Sequence, residues 1–205
     1  MYVALGSGDR EKPIQAYTAS KTVANYFFMV KDTISNGAAS YTDTTNCGPS
    51  TSTLCLNSLA AIGATNPTQA ELNAKPKGWY LALNSANGEQ VVTSALTIFG
   101  VVTFSTHQPA AAAVTGQCKP NLGTTNVYNI SYLNAATANG TQNRYEHVSG
   151  DGLPPSPVGG QVTLDDGTTV PFCIGCSKES PLEGAPPRTL STVTQPTNRL
   201  YRYIQ

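Results

Sequence analysis

Charge is scarce in this chain. Only 12% of its 205 residues are Asp, Glu, Lys or Arg, about half of the ~25% usual in soluble proteins. Basic and acidic side chains balance to a formal net charge of +0. A nucleic-acid reader needs a basic stripe and a protein held on anionic lipid needs a basic cluster, and neither is present. His107 and His147 are the only histidines. No apolar run approaches the ~20 residues that carry a helix across a bilayer. No 3.6-residue apolar period is sustained, which argues against an architecture of long helices. A Gly-x-Ser-x-Gly elbow, a phosphate-cradling glycine loop and a His-Glu pair are all missing. The opening "MYVALGSG" has neither the basic flank nor the apolar core of an export signal. Two expectations follow: a cytosolic protein, or a chain whose signal lies upstream.

Thr, Ser, Asn, Ala, Gly and Pro take the place of charge, with 18 glycines and 14 prolines. Such composition suits short strands joined by long loops, as in many secreted proteins. Strands are expected at Tyr2–Leu5, Asn25–Asp32, Gly78–Asn84 and Asn126–Asn134, with two more in Gln90–Thr106 meeting at Gly100. Asn87-Gly88 and Asp165–Gly167 read as hairpin turns. A helical turn is expected after Pro67, stopped before Pro76. Residues 33–66 form a polar insertion, 177–196 a Pro-rich connection, and Thr197–Gln205 a final strand.

The five cysteines are Cys47, Cys55, Cys118, Cys173 and Cys176. The short polar loop "CGPSTSTLC" suits a Cys47–Cys55 bridge, worth roughly 2–3 kcal/mol in the chain-entropy account. "CIGC" at 173–176 matches half of a zinc site or a redox pair. Zinc requires a second pair at similar spacing, which the chain does not supply. A thioredoxin-type motif requires a following helix, and no helical pattern follows Cys176. The expected scheme is Cys47–Cys55 plus Cys118 with Cys173 or Cys176, one thiol being left over.

A weak repeat runs through the chain. "YVALGSG" leads after a gap to "NYFFMVKD", and roughly 100 residues later "GVVTFST" leads to "NVYNISYLN". Each copy is a strand, a polar loop and a second strand with aromatics near its start. Such a unit cannot bury both faces alone and must stack on neighbouring sheets. Radial stacking of antiparallel sheets is the β-propeller arrangement. The expected fold is all-β, a partial propeller of ~2 blades, with residues 1–205 as its carboxy-terminal portion.

The residues also carry a family resemblance. "GSGDREKP" followed by "NYFFMVKDT" resembles a pattern in which one strand ends in Gly-x-Gly-Asp/Asn-Arg-Glu and the next in Lys/Arg-Asp. "KGWYLALNSANGEQVVTSALTIFGVVTFST" is similar to the same family's Gly-Trp-Tyr strand, Gly-Glu-x-Val-Val turn and Gly-Val-Val-x-Phe strand. The family is that of the PilY/PilC-type tip-associated adhesins of bacterial type IV pili, in their carboxy-terminal propeller. The resemblance implies a non-catalytic, disulfide-bonded protein exported through the periplasm to the pilus tip. Its implied partners are minor pilins, a host or abiotic surface and the rest of its own propeller, with no nucleic acid. It also implies an Asp-rich calcium loop, which belongs to the upstream part of such proteins if it is to be found at all. Here "DTISNGAASYTD" (Asp32–Asp43) lacks alternating acids, and "LDDGTT" points adjacent acids to opposite sides, so no residue of this chain is assigned to calcium or another cofactor.

Several side chains admit a functional and a structural reading. Asp9, Arg10 and Glu11 are either paired carboxylates around an anion clamp or an inter-blade lock, with Arg10 pairing an acid of the next sheet. Trp79 and Tyr80 are either a stacking platform for a ligand or inter-blade packing. His107 is either a base or a loop residue at a strand end. The structural reading is preferred for each: no acid–base partner is placed beside Asp9, Glu11 or His107, and aromatics on a Gly-flanked strand more often pack than bind. Contacts with a surface are expected from the loops 33–66 and 107–125. Two rival functions remain: a fragment of a quinoprotein-like periplasmic dehydrogenase, and a secreted carbohydrate-binding β module.

Overall fold

A computed structural model describes residues 1–10, 22–32, 34–35, 38–39, 43–48, 54–109, 122–138, 143–148 and 152–176. In chain order the strands are β1 (Tyr2–Gly6), β2 (Tyr26–Lys31), β3 (Ile34–Ser35), β4 (Ala38–Ala39), β5 (Ala60–Ile62), β6 (Gly78–Ala82), β7 (Gln90–Val91), β8 (Leu96–Ile98), β9 (Val101–Gln108), β10 (Thr124–Ser131), β11 (Tyr145–His147), β12 (Val158–Thr163) and β13 (Thr169–Ile174). Two short helices, α1 (Thr44–Cys47) and α2 (Gln69–Ala74), accompany them. The all-β expectation holds at this level. No sheet closes on itself among the described residues.

The first sheet runs β1-β2-β6-β5. Its first two pairings are antiparallel, and β5 adds parallel to β6. The second sheet runs β11-β10-β9-β7, antiparallel throughout, with β8 continuing along the β9 edge that β7 begins. β12 and β13 make a separate hairpin, and β3 and β4 a two-residue pairing.

Strand alternation explains how the two large sheets meet. In "YFFMVK", Phe27 and Met29 point to one face and Tyr26, Phe28 and Val30 to the other. Phe27 and Met29 join Trp79, Leu81, Ala60 and Ile62 of the first sheet against Val102, Phe104, Tyr128 and Ile130 of the second. This shared layer is the core. β9 is buried on both faces, although Thr103, Ser105 and His107 are polar. Thr103 Oγ1 donates to Asn129 Oδ1 at 2.7 Å, and the Ser105 backbone amide donates to Thr93 Oγ1 at 2.8 Å, whereas Ser105 Oγ and His107 Nδ1 are buried without a hydrogen-bond partner among the described residues.

The helical turn expected after Pro67 is α2. Thr68 caps it, accepting from the Glu71 amide, while Glu71 Oε2 accepts from the Thr68 amide at 2.7 Å. This reciprocal capping box satisfies donors that a helix start leaves orphaned, and Pro76 follows the helix end.

One expectation fails: Asn87-Gly88 does not turn a hairpin. The chain makes a single turn at Ser85–Asn87, then crosses to the second sheet, where Gln90–Val91 pairs with β9. The cause is Glu89, whose buried side chain finds its partners on β9 and β10. The stretch 33–66 supplies β5, with Ala60 and Ile62 both buried. The proposed final strand, Thr197–Gln205, and the connection 177–196 lie outside the described residues.

Candidate functional site

The "GSGDR" stretch ends β1 and clasps the two sheets together. Ser7 carbonyl accepts from the Val91 amide at 3.0 Å, and the Asp9 amide donates to Gln90 Oε1 at 2.9 Å. Arg10 Nη1 donates to the Val92 carbonyl. Arg10 therefore meets a backbone oxygen just past β7. A Cβ on Gly8 would lie 2.2 Å from the Val91 carbonyl oxygen, and one on Gly6 would lie 2.5 Å from Val91 Cγ1. Only glycine lets the two backbones approach this closely. Glu11 lies outside the described residues.

Trp79 and Tyr80 are neighbours in sequence and so face opposite ways. Trp79 is 1% exposed within the core, and its indole N–H donates to the Tyr132 carbonyl at 3.0 Å. It has no face left for a ligand. Tyr80 lies on the outer face of the first sheet, with ring centroids 5.6 Å from Tyr26 and 6.4 Å from Phe28. The register sets Leu5 opposite Phe28 and Val3 opposite Val30 on the same face. Leu5 is 53% and Val3 37% exposed. An apolar sheet face of this kind marks a contact surface more often than a solvent face.

The site that the residue pattern did not reveal is built on Glu89, 2% exposed. Its Oε1 accepts from Thr106 Oγ1 at 2.5 Å, Asn126 Nδ2 at 3.0 Å and the Tyr128 hydroxyl at 3.0 Å. Its Oε2 accepts from the Asn84 amide at 2.9 Å. Neutral donors from a turn and two strands thus take the place of a counter-ion. Burial first, and the Glu89 carboxylate second, push the Tyr128 phenol far above its ordinary value. Glu89 and Tyr128 line a cleft of about 410 Å³ between the ends of the two sheets, with Leu81, Leu83, Arg144 and Tyr145. Arg144 ties the cleft wall together. Nε donates to the Ala135 carbonyl at 2.8 Å, Nη1 to Gly63 and Ala64 carbonyls, and Nη2 to the Thr65 carbonyl and Asn66 Oδ1. Partial burial lowers the pKa of this guanidinium. His107 is buried within β9, its Nε2–H donating to the Leu122 carbonyl at 2.6 Å, rather than lying in a loop.

Cys47 and Cys55 are bonded as the loop spacing suggested. Cys173 is bonded to Cys176, not to Cys118, which corrects the expected scheme. The reason is local: Cys173 lies near the end of β13 and Cys176 just past it, across the turn at Gly175, with Cα atoms 5.7 Å apart, within bridging range. Cys118 lies outside the described residues. Among the described residues no group of three or more His, Cys, Asp or Glu could hold a metal, and no helix is long and apolar enough to cross a membrane.

No protein-family model matches the chain, and no curated protein matches it. In fold it is similar to the C-terminal domain of PilY1 from Pseudomonas aeruginosa, with a TM-score of 0.50 and 15% identity over 85% of this chain. The match covers 40% of that structure, so this chain spans well under two thirds of its length. At that identity the likeness concerns the fold: the chain has a PilY1-like arrangement of sheets over most of its length.

Proposed function

We propose that this chain is the carboxy-terminal part of a β-propeller in a non-catalytic, adhesin-like protein of the type IV pilus. The observation that carries the reading is the outer face of the first sheet, where Leu5, Phe28 and Tyr80 form an apolar patch beside a well-packed core. Its occupant is another blade of the same polypeptide. The solved structure of similar fold extends well beyond the portion this chain matches, which supports further sheets beside these. Asp9, Arg10 and the glycines around them are then the lock between adjacent blades, and Trp79 and Tyr80 pack the two faces of one blade. Two disulfides suit an oxidising compartment, outside the cytosol. Function comes from presentation: rigid sheets hold loops against a surface or against minor pilins, with no cofactor in this chain and calcium, where present, bound upstream.

The test is made in cells that produce the parent protein with an epitope at its carboxy terminus. Gold labelling at pilus ends, together with loss of surface attachment when residues 1–205 are deleted, is the expected result. Labelling confined to the cytosol, or unchanged attachment without these residues, contradicts the reading.

A further inference from the structure

We propose that the cleft over Glu89 binds a neutral saccharide. The charges fix the class. Glu89 at the floor disfavours an anionic guest, and Arg144 on the wall disfavours a cationic one. What the cleft offers instead is a set of hydrogen-bonding groups suited to hydroxyls. A carboxylate has about four acceptor positions. Three donors crowd Glu89 Oε1, whereas Oε2 accepts only the Asn84 amide and keeps a position for one more donor. All five N–H groups of Arg144 are committed to oxygens of the wall, so this residue shapes the cleft without reaching for the guest.

The rim completes the pattern. Tyr145 is 40% exposed, and its ring lies 5.2 Å from that of Tyr128 and edge-on to His147 at 5.5 Å. Held from two sides, it presents an aromatic face to the C–H side of a pyranose ring. The exposed Asn84 and the partly exposed Gln108 add amides, which both donate and accept, as sugar hydroxyls do. The cleft volume of about 410 Å³ falls within the ~300–1,000 Å³ typical of small-ligand sites. A site that pairs hydroxyls with buried acceptors discriminates strongly against guests lacking them.

That the cleft is the adhesive contact rests on the proposed function; the binding itself does not. The 205-residue chain is titrated by saturation-transfer NMR with methyl galactoside, methyl mannoside, methyl glucoside and N-acetylglucosamine, with n-butylammonium and butyrate as cationic and anionic comparators. At least one saccharide is expected to bind at millimolar concentration and neither ion to compete with it. Tyr145→Ala, a rim change outside the core, should weaken that binding at least tenfold with an unchanged melting temperature. Tyr145→Phe should retain it, and Glu89→Gln should weaken it. Absence of saccharide binding, tighter binding of either ion, or indifference to Tyr145→Ala overturns the inference. Attachment of cells that persists with Tyr145→Ala would leave the adhesive reading standing and remove the cleft from it.

Discussion

Phe27 of the first sheet lies flat on Phe104 of the second, with ring centroids 3.8 Å apart and planes within 1° of parallel. Phe104 in turn stacks on Tyr128 at 4.8 Å. This aromatic column is the seam between the two large sheets. Phe27 and Phe104 are both fully buried. Either one changed to alanine should destabilise the chain by about 3–5 kcal/mol. The double variant should cost less than the sum, with a coupling of about 0.5–1.5 kcal/mol, because the two rings serve one contact. Denaturant unfolding of the two single variants and the double variant measures both quantities.

Tyr128 gives the fold an alkaline limit. Its phenol is held far above its ordinary value, by burial and then by Glu89. In the unfolded chain a tyrosine titrates near ~10. The raised folded value means that this contribution is whole below that pH and is lost as pH rises above it, when the unfolded state sheds a proton that the folded state keeps. The expected slope is about 1.4 kcal/mol per pH unit for one such group. The stability difference between the parent chain and Tyr128→Phe, followed from pH 8 to pH 11 (roughly spanning the tyrosine range), should be flat at first and then narrow. A difference independent of pH would contradict this.

The clasp at the end of β1 depends on close backbone approach. Gly8→Ala places a methyl group 2.2 Å from the Val91 carbonyl oxygen and 2.8 Å from its nitrogen. Overpacking of this kind costs about 1–3 kcal/mol. Gly63→Ala meets nothing within 4 Å and should change stability by less than ~0.5 kcal/mol. Thermal melts of the two variants compare them directly.

The disulfide assignments are open to direct chemistry. Non-reducing peptide mapping of chain exported to the periplasm should recover a Cys47–Cys55 link and a closed Cys173–Cys176 ring. A Cys118–Cys173 or Cys118–Cys176 link would contradict the structure. Replacing Cys47 and Cys55 together by serine should cost roughly 2–3 kcal/mol, since the loop they close is short.

The parts of the fold that were legible in the sequence are those written locally. Short apolar and aromatic runs in "YVALG" and "YFFMVK" marked β1 and β2, the DDG turn marked the β12–β13 hairpin, and Pro67 and Pro76 bracketed α2. β5 and β11 escaped notice because three residues, "AAI" and "YEH", hold too little periodicity to register. The crossing at Glu89 was misread for a different reason. Asn-Gly is a strong local hairpin signal, yet it was overruled by partners at Thr106, Asn126 and Tyr128, distant in the chain. The cleft was invisible for the same reason. Arg144 and Tyr145 sit in an unremarkable polar stretch, and only the pairing of β10 with β11 brings them beside Glu89.

Sedimentation velocity on the isolated 205-residue chain tests the central claim most directly, that the outer face of the first sheet is made to be covered by another sheet. The chain alone should self-associate in a concentration-dependent way, and Leu5→Lys with Tyr80→Lys, both on that outer face, should return it to a folded monomer. A parent chain that stays monomeric across the same concentrations, with that face open to water, would contradict the account.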